Sequence, residues 1–179
     1  MKDKIILFFT ITMTLAGCTG ADYAKTTVQS PPPKDGEIKI PKNYAQWPIF
    51  IGDIDKKKGK QVRDIYINTI GTQTKKGEAF PNGTQFVMTL YKAQKNTDGN
   101  LSQKDGKLIK GELSKIFVME KGKNWGSNAP KGFENGDWVY AAYNADGSKA
   151  EVNYQACRGC HIPKAKQDYI FHYEQYFAK

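Results

Sequence analysis

Thr84-Gln85-Phe86-Val87-Met88-Thr89-Leu90-Tyr91 is the stretch on which the fold turns. Alternate positions separate into Thr84, Phe86, Met88, Leu90 and Gln85, Val87, Thr89, Tyr91, and the first set is the more apolar. A period of two belongs to a strand with one buried face, because successive side chains leave opposite sides of the pleat. Stretches 47–51, 62–70, 113–121 and 138–143 share this richness in β-branched and aromatic residues. Turn chemistry separates them: Pro81-Asn82-Gly83, Asp98-Gly99, Asp105-Gly106, Asn135-Gly136 and Asp146-Gly147. Helical periodicity is weak until the end, where 152–160 and 166–177 are predicted as short helices. The expected fold class is therefore mainly β (α+β), with about five strands and a few short helices.

The whole chain has 179 residues, enough for one core domain and too few for two full ones. Ten Tyr, nine Phe and three Trp need burial, which excludes a wholly disordered chain. The formal charge is +9, and of the 27 basic residues only Arg63 and Arg158 are arginines. A protein built to grip phosphates normally carries more guanidinium forks than that. Lys56-Lys57-Lys58 reads as a solvated loop.

Lys2 and Lys4 precede an apolar run from Ile5 to Phe9, and Leu15-Ala16-Gly17-Cys18 follows. A positive start, a short apolar stretch and small residues form an export signal, too short for a good spanning helix. A cysteine directly after Leu-Ala-Gly resembles the bacterial lipobox, so residues 1–17 are predicted to be a lipoprotein signal peptide. Cys18 becomes the lipidation site, and acyl chains there would hold the chain on a membrane. Residues 18–39 are poor in large apolar side chains and contain Pro31-Pro32-Pro33, the composition of a semi-rigid tether. The folded domain is then expected over 40–179. Export also makes nucleic acid an unsuitable partner.

Cys157-Arg158-Gly159-Cys160-His161 is C-x-x-C-H, the attachment pattern of c-type haem. Thiols at i and i+3 fall on one side of a helical turn and can both reach haem vinyl groups, while the histidine at i+4 projects toward the iron as its proximal ligand. The cysteine count agrees, with one for lipid and two for haem. Competing readings are a zinc site, a thioredoxin-like C-x-x-C and a simple disulfide. Zinc needs about four ligands, and only His172 or Cys18 is left to complete the set. A thioredoxin-like motif sits early in a βαβ domain, whereas this one lies near the carboxyl end.

The placement of the motif at the end of a strand-rich chain resembles the cytochrome P-460 family, which includes the cytochromes c′-beta. The resemblance runs from Pro41 to Phe171. Pro41-Lys42-Asn43-Tyr44-Ala45-Gln46-Trp47 is similar to the family's P-K-N-Y-x-x-W, and Val62-Arg63-Asp64-Ile65-Tyr66-Ile67-Asn68 to its second strand. Phe80-Pro81-Asn82-Gly83-Thr84 is similar to F-x-D-G-T, Trp138-Val139-Tyr140 to W-x-[FY], and Asp168-Tyr169-Ile170-Phe171 to D-x-x-F. The resemblance implies a curved antiparallel sheet with one haem c per chain packed on one face, in proteins that are often dimers.

It also implies roles for individual residues. In the hydroxylamine-oxidising members a lysine in D-G-T-x-x-V-K cross-links to the haem edge; Asn82-Gly83-Thr84-Gln85-Phe86-Val87-Met88 puts methionine there, and a thioether cannot form that bond. Lys92, of the same parity, could substitute only with a shifted register. Phe86, Met88 and Leu90 are expected to share an apolar face toward the haem, leaving an iron site open to NO or CO, unless Met88 itself ligates the iron. Glu120 aligns with the distal acid of the hydroxylamine-oxidising members and is the candidate catalytic proton acceptor. Arg63 is the candidate partner of a haem propionate. The leading expectation is thus binding of a small diatomic ligand with associated redox chemistry. Hydroxylamine or NO oxidation is one alternative. Electron transfer is the other, its lysine-rich surface suited to an acidic redox partner.

Overall fold

The computed structural model describes residues 30–178. The expected signal peptide, Cys18 and most of the tether lie outside them. Five strands form one sheet: β1 (Ile49–Lys56), β2 (Gln61–Ile67), β3 (Gln85–Ala93), β6 (Lys110–Lys121) and β7 (Trp138–Asn144), in the order β1-β2-β3-β6-β7. Every neighbouring pair is antiparallel. A small hairpin of β4 (Gln103–Lys104) and β5 (Lys107–Leu108) interrupts the β3–β6 connection. All five predicted strands are present, and the mainly β class holds. Register shifts in the β1–β2 and β3–β6 pairs mark bulges, which bend a sheet.

Strand parity builds two cores, one on each face. Phe50, Ile67, Phe86, Trp138 and Tyr140 face the carboxyl-terminal segment together with Phe80, Ile170 and Tyr173. Their rings meet edge to face, with centroids 5.0 Å apart for Phe50–Phe86 and 5.1 Å for Phe80–Phe86. Such pairs contribute about 0.5–1.5 kcal/mol beyond the area they bury. On the other face Val87, Ile116, Val118, Val139, Ala141 and Tyr143 pack under Ile38, Tyr44 and Trp47.

Residues 31–39 depart from the tether reading. The compact unit begins at Pro31. Gly36 N–H donates to Tyr140 O at 2.7 Å and the Asp35 carboxylate accepts Tyr140 N–H at 3.0 Å, so this segment covers the outer edge of β7. An uncovered edge strand would offer its backbone groups to other chains. Strand β2 stops at Ile67, short of the predicted residue 70, because buried Asn68 takes over. Its Oδ1 accepts from Gly71 N–H and Gln85 N–H at 3.0 and 3.1 Å, and its Nδ2 donates to Gly83 O at 2.8 Å. A Cβ on Gly71 would lie 2.7 Å from Ile67 and Thr84 side-chain atoms, so the turn needs glycine there.

Helix α1 (Tyr154–His161) falls where a helix was predicted, capped by Asn153, whose Oδ1 accepts from Gln155 N–H at 3.0 Å. The helix predicted over 166–177 does not form as such. The chain continues in 3-10 turns over Ile162–Gln167, and only α2 (Tyr173–Tyr176) is α-helical. Asp168, Tyr169 and His172 are left-handed between them, with φ of 49°, 63° and 62°.

Candidate functional site

Between α1, the segment after it and one face of the sheet lies a cavity of about 370 Å³. Helical spacing brings Cys157, Cys160 and His161 of α1 to its wall, and both thiols are free of a disulfide. Burial pushes the Cys157 thiol above its ordinary pKa. Across the cavity, strand pairing sets Phe86 opposite Met119 and Ile67, and Met88 opposite Phe117 and Ile65. Phe86 and Met88 therefore line the cavity. Leu90 has the same parity and is buried opposite Arg63, but it does not reach the cavity wall. Lys92, also of that parity, is exposed and paired with Glu112.

Glu120 is not brought to the site. The β3–β6 register pairs it with Gln85, and β7 pairs it with Val139, which puts it on the opposite face of the sheet. A one-residue offset in the alignment inverts the face, because the side-chain period is two; Met119 occupies the cavity side instead. No carboxylate lines the cavity among the described residues.

His161 is held from behind. Its Nδ1 donates to Tyr169 O at 2.7 Å, and its ring meets Phe171 edge to face with centroids 4.9 Å apart. That bond assigns the proton to Nδ1 and leaves the Nε2 lone pair for a metal. Burial holds its pKa below the ordinary histidine value, a pull opposed by the bond to Tyr169. The lowered pKa favours the neutral imidazole, the form that a metal ligand requires. His172 also lines the cavity, with Nδ1 bonded to Gln175 Oε1 at 2.9 Å.

Arg63 and Lys56 bring positive charge to this apolar chamber. Arg63 spends one donor on Gln61 Oε1 at 3.1 Å, while its buried Nε has no partner. Burial pulls its pKa below the ordinary arginine value. A desolvated guanidinium with an unsatisfied N–H is suited to an incoming carboxylate.

Sequence reasoning missed Arg158, a residue only 1% exposed. It donates to both Asp35 oxygens at 2.7 and 2.9 Å, to Asn135 Oδ1 at 2.6 Å and to Trp138 O at 3.2 Å. Asn135 also bonds the hydroxyl of Tyr140, a cavity residue whose pKa is driven far up by burial. It also missed Phe117, Met119, Tyr140 and Lys56; the parity of Met88 across two strand pairs was the signal for the first three.

The chemistry of this wall fits a haem. Two thiols and an imidazole bonded through Nδ1 stand on one helix, apolar side chains face them, and an orphaned guanidinium donor waits for a carboxylate. By contrast, no cluster of three or more His, Cys, Asp or Glu among the described residues could hold a bare metal ion. No curated protein matches the chain. Residues 41–172 match the family model described as Cytochrome P460, which implies a haem cofactor, and the chain belongs to that family.

Proposed function

We propose that this protein is an exported, membrane-anchored lipoprotein that carries one haem c and binds a small diatomic ligand, NO or CO, at the iron. The haem is held by thioethers at Cys157 and Cys160, with His161 as proximal ligand and Arg63 toward a propionate. Haem supplies an iron that takes up such ligands and changes oxidation state. The protein's own part is to orient His161 through Nδ1 and to face it with Phe86 and Met88, which bring neither an acid nor an amine. The observation that carries this reading is that Cys157, Cys160 and His161 converge on a cavity whose facing strand presents Phe86 and Met88. The hydroxylamine-oxidising alternative loses support on the same wall, since position 88 has no amine and Glu120 is on the other face. Electron transfer is favoured by a different observation: Met88 and Met119 both line the cavity, and a thioether ligand would close the iron site. In that role the lysine-rich surface receives an acidic redox partner.

Optical spectroscopy of protein matured in a host competent for cytochrome c assembly is the test. The expected result is a covalent haem spectrum, lost in C157A/C160A, with a five-coordinate ferrous form that shifts on adding CO or NO. A low-spin ferrous spectrum indifferent to both gases, and converted to high spin by Met88→Leu or Met119→Leu, would replace gas binding with electron transfer.

A further inference from the structure

Behind His161, and touching no wall of the cavity, lies a nearly buried ion pair. Lys121 Nζ donates to the two carboxylate oxygens of Asp168 at 3.0 and 2.8 Å and to Phe80 O at 2.9 Å. The side chains of Lys121 and Asp168 are only 12% and 11% exposed. Asp168 also accepts Phe80 N–H at 2.8 Å. Phe80 is 1% exposed in the aromatic core, so its N–H fastens the turn at 164–170 to the centre of the molecule directly and its carbonyl does so through Lys121.

The turn needs fastening. Asp168 and Tyr169 are consecutive residues with side chains in the left-handed region, at φ of 49° and 63°. Strained backbone of this kind persists only where its surroundings over-determine it. Tyr169 N–H donates to Lys164 O at 2.9 Å, and the Tyr169 ring lies where a Cβ on Gly136 would be 3.1 Å from Cε2. The result of the strain is the position of one atom. The Tyr169 carbonyl oxygen meets His161 Nδ1 at 2.7 Å.

We infer that Lys121 and Asp168 are positioning residues for the axial imidazole, acting through the Tyr169 carbonyl. The inference rests on the haem reading above. A firmly held acceptor at Nδ1 fixes the tautomer and the ring orientation and raises the electron density at Nε2. A more basic axial nitrogen favours ferric over ferrous iron. Loosening the pair lets the carbonyl drift and weakens the histidine as a donor, without touching any residue of the cavity wall.

The experiment compares haem-loaded wild type with Lys121→Met, Asp168→Asn and Lys121→Arg. It reads the ferrous iron–histidine stretching frequency by resonance Raman, the reduction potential and the thermal midpoint. Lys121→Met and Asp168→Asn are expected to retain covalent haem, lower the stretching frequency and raise the potential, with Lys121→Arg returning both toward wild type. The potential reads the same change whatever occupies the sixth iron position. Lys121→Met keeps the stem beside Trp138, whose ring centroid is 5.6 Å from Nζ, so it carries the test if Asp168→Asn does not fold. Unchanged frequency and potential with a lowered midpoint alone would make the pair a structural brace and overturn the inference. A colourless wild type would instead overturn the haem reading itself.

Discussion

Arg158 shows how much one side chain inside a motif can carry beyond the motif's own chemistry. Thiol spacing in Cys157-Arg158-Gly159-Cys160-His161 places no demand on the second position, yet Arg158 ties the helix to Asp35, Asn135 and Trp138 O. A charge as fully buried as that of Arg158 depends on its partners, and removing one partner of such a pair typically costs about 3–5 kcal/mol. Arg158→Met should therefore lower unfolding free energy by about 3–5 kcal/mol, read from urea titrations at constant slope. The double variant with Asp35→Asn should lose less than the sum of the two singles, because both remove the same interaction. Additive losses would show that the pair is not coupled. None of this was legible in the sequence, since the partners lie 123, 23 and 20 residues away. Cys157, Cys160 and His161 were legible because their geometry is local to one helical turn.

At the scale of elements, the strands were legible where alternation is local and the ends were not. Asn68 terminates β2 through bonds to Gly71, Gly83 and Gln85, partners that no window around residue 68 brings together. Residues 166–177 have helical composition, but Asp168 and Tyr169 are drawn out of the helix by Phe80, Lys121 and His161, and such tertiary bonds outweigh propensity. A second clamp holds the bulge in β1. Lys110 Nζ lies 2.7 Å from both Asp53 Oδ1 and Asp64 Oδ2, and the left-handed Asp53 gives its N–H to Asp64 Oδ1 at 2.9 Å. The bond from Lys110 holds the Asp53 carboxyl below the usual carboxylate range, against a smaller opposing effect of burial. Burial pulls Lys110 down, but its bonds to Asp53 and Asp64 prevail and its pKa is raised. The Asp53 contribution to stability is present above the unfolded carboxylate pKa and is lost as pH falls through the lowered folded value. The Lys110 contribution is complete below the ordinary lysine value and is lost as pH rises through the raised one. Lys110→Met should flatten both limbs of the stability–pH curve. Limbs that superpose on those of wild type would mean the clamp contributes nothing to pH linkage.

For the molecule as a whole, the net charge of +9 matters less than where it is concentrated. Lys56, Lys57, Lys58 and Lys60 form the tip of the β1–β2 hairpin, and among the described residues none of them pairs with a carboxylate. Lys60 is held left-handed at φ of 51°, a conformation a glycine would adopt more easily. The nearby carboxylate of Asp55 is engaged by Leu108 N–H at 3.1 Å. A depression beneath this tip includes Lys56 and Arg63, the two cations that also line the cavity, so the basic field opens onto the proposed haem site. Charge focused at such a point raises encounter rates with anions about tenfold or more at low salt, and the effect fades once the Debye length falls to about 10 Å near 0.1 M. Stopped-flow oxidation of the ferrous protein by anionic hexacyanoferrate should slow several-fold in Lys57→Glu/Lys58→Glu/Lys60→Glu at low ionic strength and converge with wild type at high salt. Oxidation by a cationic cobalt complex should change in the opposite sense. Lys42→Glu/Lys123→Glu/Lys149→Glu makes the same change in net charge at exposed lysines lining neither hollow, and it should move both rates far less. Equal effects from the two triple variants would mean that only total charge steers the anionic reagent and that the hairpin is not a preferred point of encounter.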